Sequence, residues 1–152
     1  MKFLRDFDLK NKIILLRADI NSDVVNGKVL MSERIKEAAE TIKVLKKKKA
    51  RVVVIAHQGR PDGEDFVSLK SHAWFLSKFT KVKFVSDIYG SKAKQAIGGL
   101  KSGEAILLEN LRFAKEEFEL GKNKLVENLS SWCDIYVNDA FSNSHRAHAS
   151  IV

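Results

Sequence analysis

Short apolar runs, each closed by a polar or basic group, constrain this chain more than any other feature. Lys12–Ala18 reads Lys-Ile-Ile-Leu-Leu-Arg-Ala, Arg51–Ala56 reads Arg-Val-Val-Val-Ile-Ala, and Ala105–Leu108 reads Ala-Ile-Leu-Leu. Val82–Val85, with Lys83 inside it, and Ile135–Asn138 are two further short strand candidates. A run that is apolar on consecutive positions suits a strand buried on both faces.

Amphipathic stretches separate these runs. Ser32 is placed to cap a helix in which Ile35, Ala38, Ala39, Ile42 and Leu45 recur at helical spacing. Ser68 or Ser71 can cap a second helix carrying Ala73, Phe75, Leu76 and Phe79, and Ser91–Ile97 is a short third, closed by Gly98-Gly99. Leu125, Leu129 and Trp132 mark a fourth. Asn26-Gly27 signals a turn. Strands alternating with helices predict right-handed βαβ units. The expected fold class is α/β, a doubly wound open parallel sheet with helices on both faces, a Rossmann-like three-layer αβα arrangement. Residues 1–152 are expected to form one domain.

Composition narrows the function. The chain is 45% hydrophobic and 30% charged, with one Pro and eight Gly, so low-complexity linkers are not expected. The N-terminus turns charged too early for a signal peptide, and no apolar run is long enough to span a bilayer. The single Cys133 excludes an internal disulfide, favours a cytoplasmic location and reads as a small core residue. The formal net charge is +8, which predicts attraction to anions without saying which. Lys46-Lys47-Lys48-Lys49 is read as a solvated helix C-terminus, since no aromatic residues interleave with it as a nucleic-acid surface would require.

In open parallel sheets, ligands sit beyond the carboxyl ends of the strands. The groups that directly follow the predicted strands are Asp19 and Asn21, His57 and Arg60, Arg112, and then Asp139, His145 and Arg146. Arg34 joins them from the first turn of a helix, where a cation opposes the helix dipole. Arginine's planar fork binds carboxylate and phosphate bidentately. Convergence of these groups predicts a pocket for a small, highly anionic ligand.

Read together, Leu15-Leu16-Arg17-Ala18-Asp19-Ile20-Asn21, Glu33-Arg34-Ile35, His57-Gln58-Gly59-Arg60-Pro61, Leu107-Leu108-Glu109-Asn110-Leu111-Arg112-Phe113 and Val137-Asn138-Asp139-Ala140-Phe141 through His145-Arg146-Ala147-His148-Ala149-Ser150 resemble the N-terminal domain of phosphoglycerate kinase. Ala56-His57-Gln58 and Asp65-Phe66-Val67-Ser68-Leu69 are most similar to the archaeal branch. The resemblance implies an enzyme family that moves a phosphoryl group between 1,3-bisphosphoglycerate and Mg-ADP, giving 3-phosphoglycerate and Mg-ATP in glycolysis. It implies that Asp19 and Asn21 hold the glycerate hydroxyl and carboxyl end. His57, Arg60, Arg112 and Arg146 would grip the non-transferred phosphate. Arg34 would stabilise charge on the transferred group, and is the catalytic candidate. His145 and His148 would belong to the surrounding basic patch.

The nucleotide and Mg site of that family lies in a second domain, and this sequence shows neither a P-loop nor a Gly-x-Gly-x-x-Gly segment in its place. The expectation is therefore that this domain binds no cofactor, that Mg-ATP or Mg-ADP serves the complete enzyme, and that the chain alone binds 3-phosphoglycerate without turnover. Its partners would be 3-phosphoglycerate or 1,3-bisphosphoglycerate and the C-terminal nucleotide domain, not nucleic acid or membrane. An interdomain surface left uncovered would favour self-association. Ser22-Asp23 stands where the family usually places Pro, and Ser142-Asn143-Ser144 replaces a Gly-containing segment. These departures support an alternative, a non-catalytic structural or interaction domain, and the net charge supports another, a nucleic-acid binder. A zinc site on His145 and His148 and a Ser144 nucleophile have no supporting context.

Overall fold

The computed structural model describes residues 7–119 and 123–139. Strand β1 is Ile13–Arg17, followed by a small hairpin of β2 (Val24–Val25) and β3 (Lys28–Val29). Helix α1 (Glu33–Lys47), β4 (Arg51–Ile55), α2 (Lys70–Leu76), β5 (Lys83–Val85), α3 (Ser91–Gly98), β6 (Ala105–Leu108), α4 (Lys124–Trp132) and β7 (Ile135–Asn138) complete the order. Two 3-10 turns, Leu111–Phe113 and Lys115–Phe118, lie between β6 and α4.

The main sheet has the order β5-β6-β4-β1-β7, with every neighbouring pair parallel. This order sets the layers. From β1 through β4 to β5 the chain moves one way across the sheet, and from β5 through β6 to β7 it moves back. Right-handed crossovers therefore put α1 and α2 on one face and α3 and α4 on the other. The two buried clusters agree. Ile14, Leu16, Val52, Val54 and Leu107 pack with Ile35, Ile42 and Leu76. Their strand neighbours Leu15, Val53, Ile55, Ile106 and Leu108 pack with Ile97, Leu125 and Leu129. Successive strand residues face opposite ways, so runs apolar at every position are what a doubly covered sheet needs. The sheet is thus an α/β, doubly wound, Rossmann-like fold.

Local signals explain several element ends. The Ser32 hydroxyl accepts from the Ile35 N–H at 3.4 Å, capping α1 as its position predicts. Ser68 acts just ahead of α2, its hydroxyl accepting from the Lys70 N–H at 3.1 Å. Helix α2 ends at Leu76, so Phe79 packs on the core from beyond the helix instead of from within it. Asn26 and Gly27 both take positive φ, 51° and 75°, the two-residue turn that joins β2 to β3. Lys46 departs from the solvated reading of the lysine run. Its ammonium donates to Thr80 Oγ1 at 2.8 Å and to the Lys81 carbonyl at 2.9 Å. Cys133 is half-buried against the second cluster, and burial, then the nearby Asp134 charge, push its thiol up to about 12. Among the described residues no helix is long and apolar enough to cross a membrane.

Candidate active-site edge

The strand order brings the loops after β6, β4, β1 and β7 side by side at the carboxyl edge of the sheet. These are the loops that carry Arg112, His57 and Arg60, Asp19 and Asn21, and Asp139. Sequence order alone does not make them neighbours; the crossovers do.

Gly59 is the point where the loops meet. Its N–H donates to Asn21 Oδ1 at 2.9 Å, and its carbonyl accepts from Arg112 Nη1 at 2.6 Å. One peptide segment after β4 is thus held by a side chain from the loop after β1 and another from the loop after β6. The position admits only glycine without strain. Gly59 has φ 71°, and a Cβ there would stand 2.4 Å from the Asp65 carbonyl oxygen.

Buried amides brace this meeting point. Gln58 Oε1 accepts from the Ser22 N–H at 2.8 Å, while Gln58 Nε2 donates to the carbonyls of Ser22 at 2.9 Å and Asp65 at 3.1 Å. Asn110 Oδ1 accepts from the backbone N–H of Gln58 at 3.2 Å and of Arg112 at 3.1 Å. Its Nδ2 donates to the carbonyls of Gln58 at 2.8 Å and Val67 at 2.9 Å. Both side chains are fully buried, where an unmade hydrogen bond is expensive. The loops are therefore stitched by side chains that the sequence reading did not single out as site residues.

The predicted residues are placed as follows. Asp19 pairs with Arg34, Oδ1 to Nη1 at 3.3 Å, with the Arg34 side chain half exposed. Arg34 does point from the first turn of α1 toward the strand edge. His57 and Arg112 are buried, whereas Arg60 is exposed. Asn21, Arg60's neighbour Gly59 and Arg112 form one bonded group. Asp139 turns elsewhere: its Oδ2 accepts from Thr41 Oγ1 at 3.0 Å, and its N–H donates to the Arg17 carbonyl at 2.8 Å. His145, Arg146 and His148, with the Ser142–Ser144 departure, lie outside the described residues. Of the Ser22-Asp23 departure, Ser22 is buried and shares a 2.8 Å hydrogen bond with Ser32 Oγ, whereas Asp23 is exposed.

Arg17 is the charged residue that the sequence reading passed over. It ends β1 with its side chain fully buried, its Nη2 lying 3.2 Å from His57 Nδ1 and 4.0 Å from Glu117 Oε1. Burial lowers its pKa, with the Glu117 charge opposing that shift. The signal was present as a cation set between two apolar residues, Leu16 and Ala18, both of them buried. Behind Gln58 sits His72, also fully buried, its Nε2 2.8 Å from Gln58 Oε1. Burial pushes His72 down to about 4. Among the described residues no cluster of three His, Cys, Asp or Glu side chains could hold a metal ion.

A cavity of about 630 Å³ lies off this edge, beyond β5, with Asp87, Glu109 and Glu116 in its wall. Its acidic lining suits an anion poorly, so the loop cluster around Gly59 is the better candidate for one.

Fold and edge together define an open parallel α/β domain that gathers basic and amide groups at the carboxyl ends of its strands. The phosphoglycerate kinase family profile matches residues 4–152, and the chain belongs to that family. It is 46% identical to the phosphoglycerate kinase of Methanopyrus kandleri, over 97% of this chain and 38% of that protein. It is 45% identical to that of Sulfurisphaera tokodaii, over 98% of this chain and 38% of that protein. The crystal structure of phosphoglycerate kinase from Pyrococcus horikoshii superposes with a TM-score of 0.95 at 40% identity, covering 100% of this chain and 40% of that one. The chain thus spans about 38% of the length of these curated relatives, from an archaeal-type, N-terminal part of the enzyme.

Proposed function

We propose that this chain is the glycerate-binding domain of a phosphoglycerate kinase, holding 3-phosphoglycerate or 1,3-bisphosphoglycerate at the edge around Gly59. The observation that carries the reading is the double hold on Gly59 by Asn21 and Arg112. It brings a loop bearing Arg60 against two others that supply an amide and a guanidinium. Asp19 and Asn21 take the hydroxyl and carboxyl end of the glycerate. His57, Arg60, Arg112 and Arg146 take the non-transferred phosphate, and His145 and His148 contribute positive surroundings. Arg34, half exposed beside Asp19, stands ready to leave that carboxylate for the transferred phosphoryl group.

In phosphoryl transfer the protein mainly positions the reactants and balances charge, which an arginine-rich edge does. Mg-ATP or Mg-ADP would come to this edge on a separate nucleotide domain, so this chain alone binds substrate without turnover. It works in the cytoplasm, as one domain over residues 1–152. Isothermal calorimetry with 3-phosphoglycerate tests the reading. Saturable heat in the micromolar to millimolar range is expected after desolvation and ordering offset the charged contacts. No heat at millimolar ligand, or phosphotransfer by the pure chain, would each overturn the corresponding part.

A further inference from the structure

His57 and Arg17 share a buried hydrogen bond whose direction has only one solution. Arginine carries donors and no acceptor. Arg17 Nη2 therefore donates to His57 Nδ1 across the 3.2 Å contact. A nitrogen that accepts carries no proton, so the imidazole is neutral and its proton sits on Nε2. An imidazolium would turn an N–H against the guanidinium at that distance. Both side chains are buried, Arg17 at 0% and His57 at 4% exposure, so water offers little relief for such a clash.

Arg17 can keep its charge here because Glu117, also fully buried, lies 4.0 Å from the same Nη2. Asp19 adds a smaller attraction. The backbone secures the geometry from two sides. Arg17 lies opposite Ile55 in the β1–β4 register and opposite Asn138 in the β1–β7 register. The Ala18 N–H also donates to the Ile55 carbonyl at 3.0 Å, a short step before His57.

We propose that Arg17 is a positioning residue for substrate recognition: it locks His57 in the Nε2–H tautomer, so that this imidazole meets an anion as a donor. This rests on the glycerate-binding reading for the identity of the anion, though not for the tautomer. The opposite tautomer would present a lone pair to a phosphate and repel it. Arg17 then acts through His57 without touching the ligand.

Long-range ¹H–¹⁵N NMR on the uniformly labelled chain reads the tautomer directly in the unsubstituted protein, with His57→Gln used only for assignment. A protonated Nε2 beside an unprotonated Nδ1 is expected at neutral pH. An Nδ1–H tautomer, an imidazolium or an exchanging mixture would overturn the proposal. Arg17→Gln offers His57 Nδ1 both a donor and an acceptor, and is expected to give a tautomer mixture and on the order of tenfold weaker 3-phosphoglycerate binding. Unchanged binding in a folded Arg17→Gln chain would also overturn it. A clean Nε2–H signal in a chain that binds no 3-phosphoglycerate refutes the ligand reading and upholds the tautomer lock. A mixed signal in a chain that does bind refutes the lock alone.

Discussion

Lowering the pH should loosen the brace behind the candidate site, and His72 sets the size of the effect. Gln58 Oε1 already accepts from the Ser22 N–H, and its Nε2 donates to two carbonyls. The amide orientation is thereby fixed, so His72 Nε2 must be the donor in its 2.8 Å contact with Oε1. A second proton would go on Nδ1, which is buried with no hydrogen-bond partner among the described residues. That is why burial takes His72 from 6.5 to about 4. The folded pKa lies below the unfolded one, so the unfolded chain takes up the proton first. The contribution is fully present above about pH 6.5 and is lost as the pH falls toward about 4. At about 1.4 kcal/mol for each tenfold in the proton equilibrium, the loss is about 2 kcal/mol near pH 5 and about 3 kcal/mol at its ceiling. Urea denaturation of the chain and of His72→Gln, repeated across this range, isolates it, because the carboxylates common to both cancel in the difference. The two stability curves should diverge below pH 6.5, the unsubstituted chain falling more steeply. Parallel curves would refute the buried-donor assignment, as would a His72 titration near 6.5 in the folded chain.

Three substitutions probe the loop meeting point. Gly59→Ala forces a Cβ to within 2.4 Å of the Asp65 carbonyl oxygen at a positive φ; chemical denaturation should show a loss of about 1–3 kcal/mol, with 3-phosphoglycerate binding impaired. Asn110→Ala removes four buried hydrogen bonds to backbone groups; a loss of at least about 3 kcal/mol is expected by the same measurement. Arg60 is exposed, so Arg60→Ala should leave stability within about 0.5 kcal/mol while calorimetry shows clearly weaker 3-phosphoglycerate binding.

The sheet was legible because its physics is local. Val52, Val53 and Val54 are buried on alternate faces, and consecutive apolar residues announce that in any context. Ile35, Ala38, Ala39, Ile42 and Leu45 likewise announce a helix, and all five are buried in α1. The candidate edge was legible only as a set of strand ends, the place where parallel sheets gather ligands. Its internal wiring was not. Gln58, Asn110 and His72 are ordinary polar residues in sequence, and only the neighbouring loops of β1, β4 and β6 give their amides and ring partners. Arg17 drew no reading of its own because nothing local reveals that Glu117, far along the chain, comes within 4.0 Å of it. The β2–β3 pair was visible as a turn at Asn26-Gly27 but not as strands, being only two residues a side. The lysine run does close α1 as read, but Lys46 has partners that no local pattern shows, Thr80 and Lys81, beyond α2.

Backbone amide mapping during titration with 3-phosphoglycerate tests the central claim most directly. Saturable shifts should centre on Asn21, Gly59, Arg60 and Arg112, the residues at or beside the double hold. At the opposite end of the sheet, Lys46, Lys81, Lys83 and Lys101 line a cavity of about 420 Å³, and their amides should stay still. Shifts centred on those lysines, or none that saturate at millimolar ligand, would contradict the assignment of the Gly59 edge as the glycerate site.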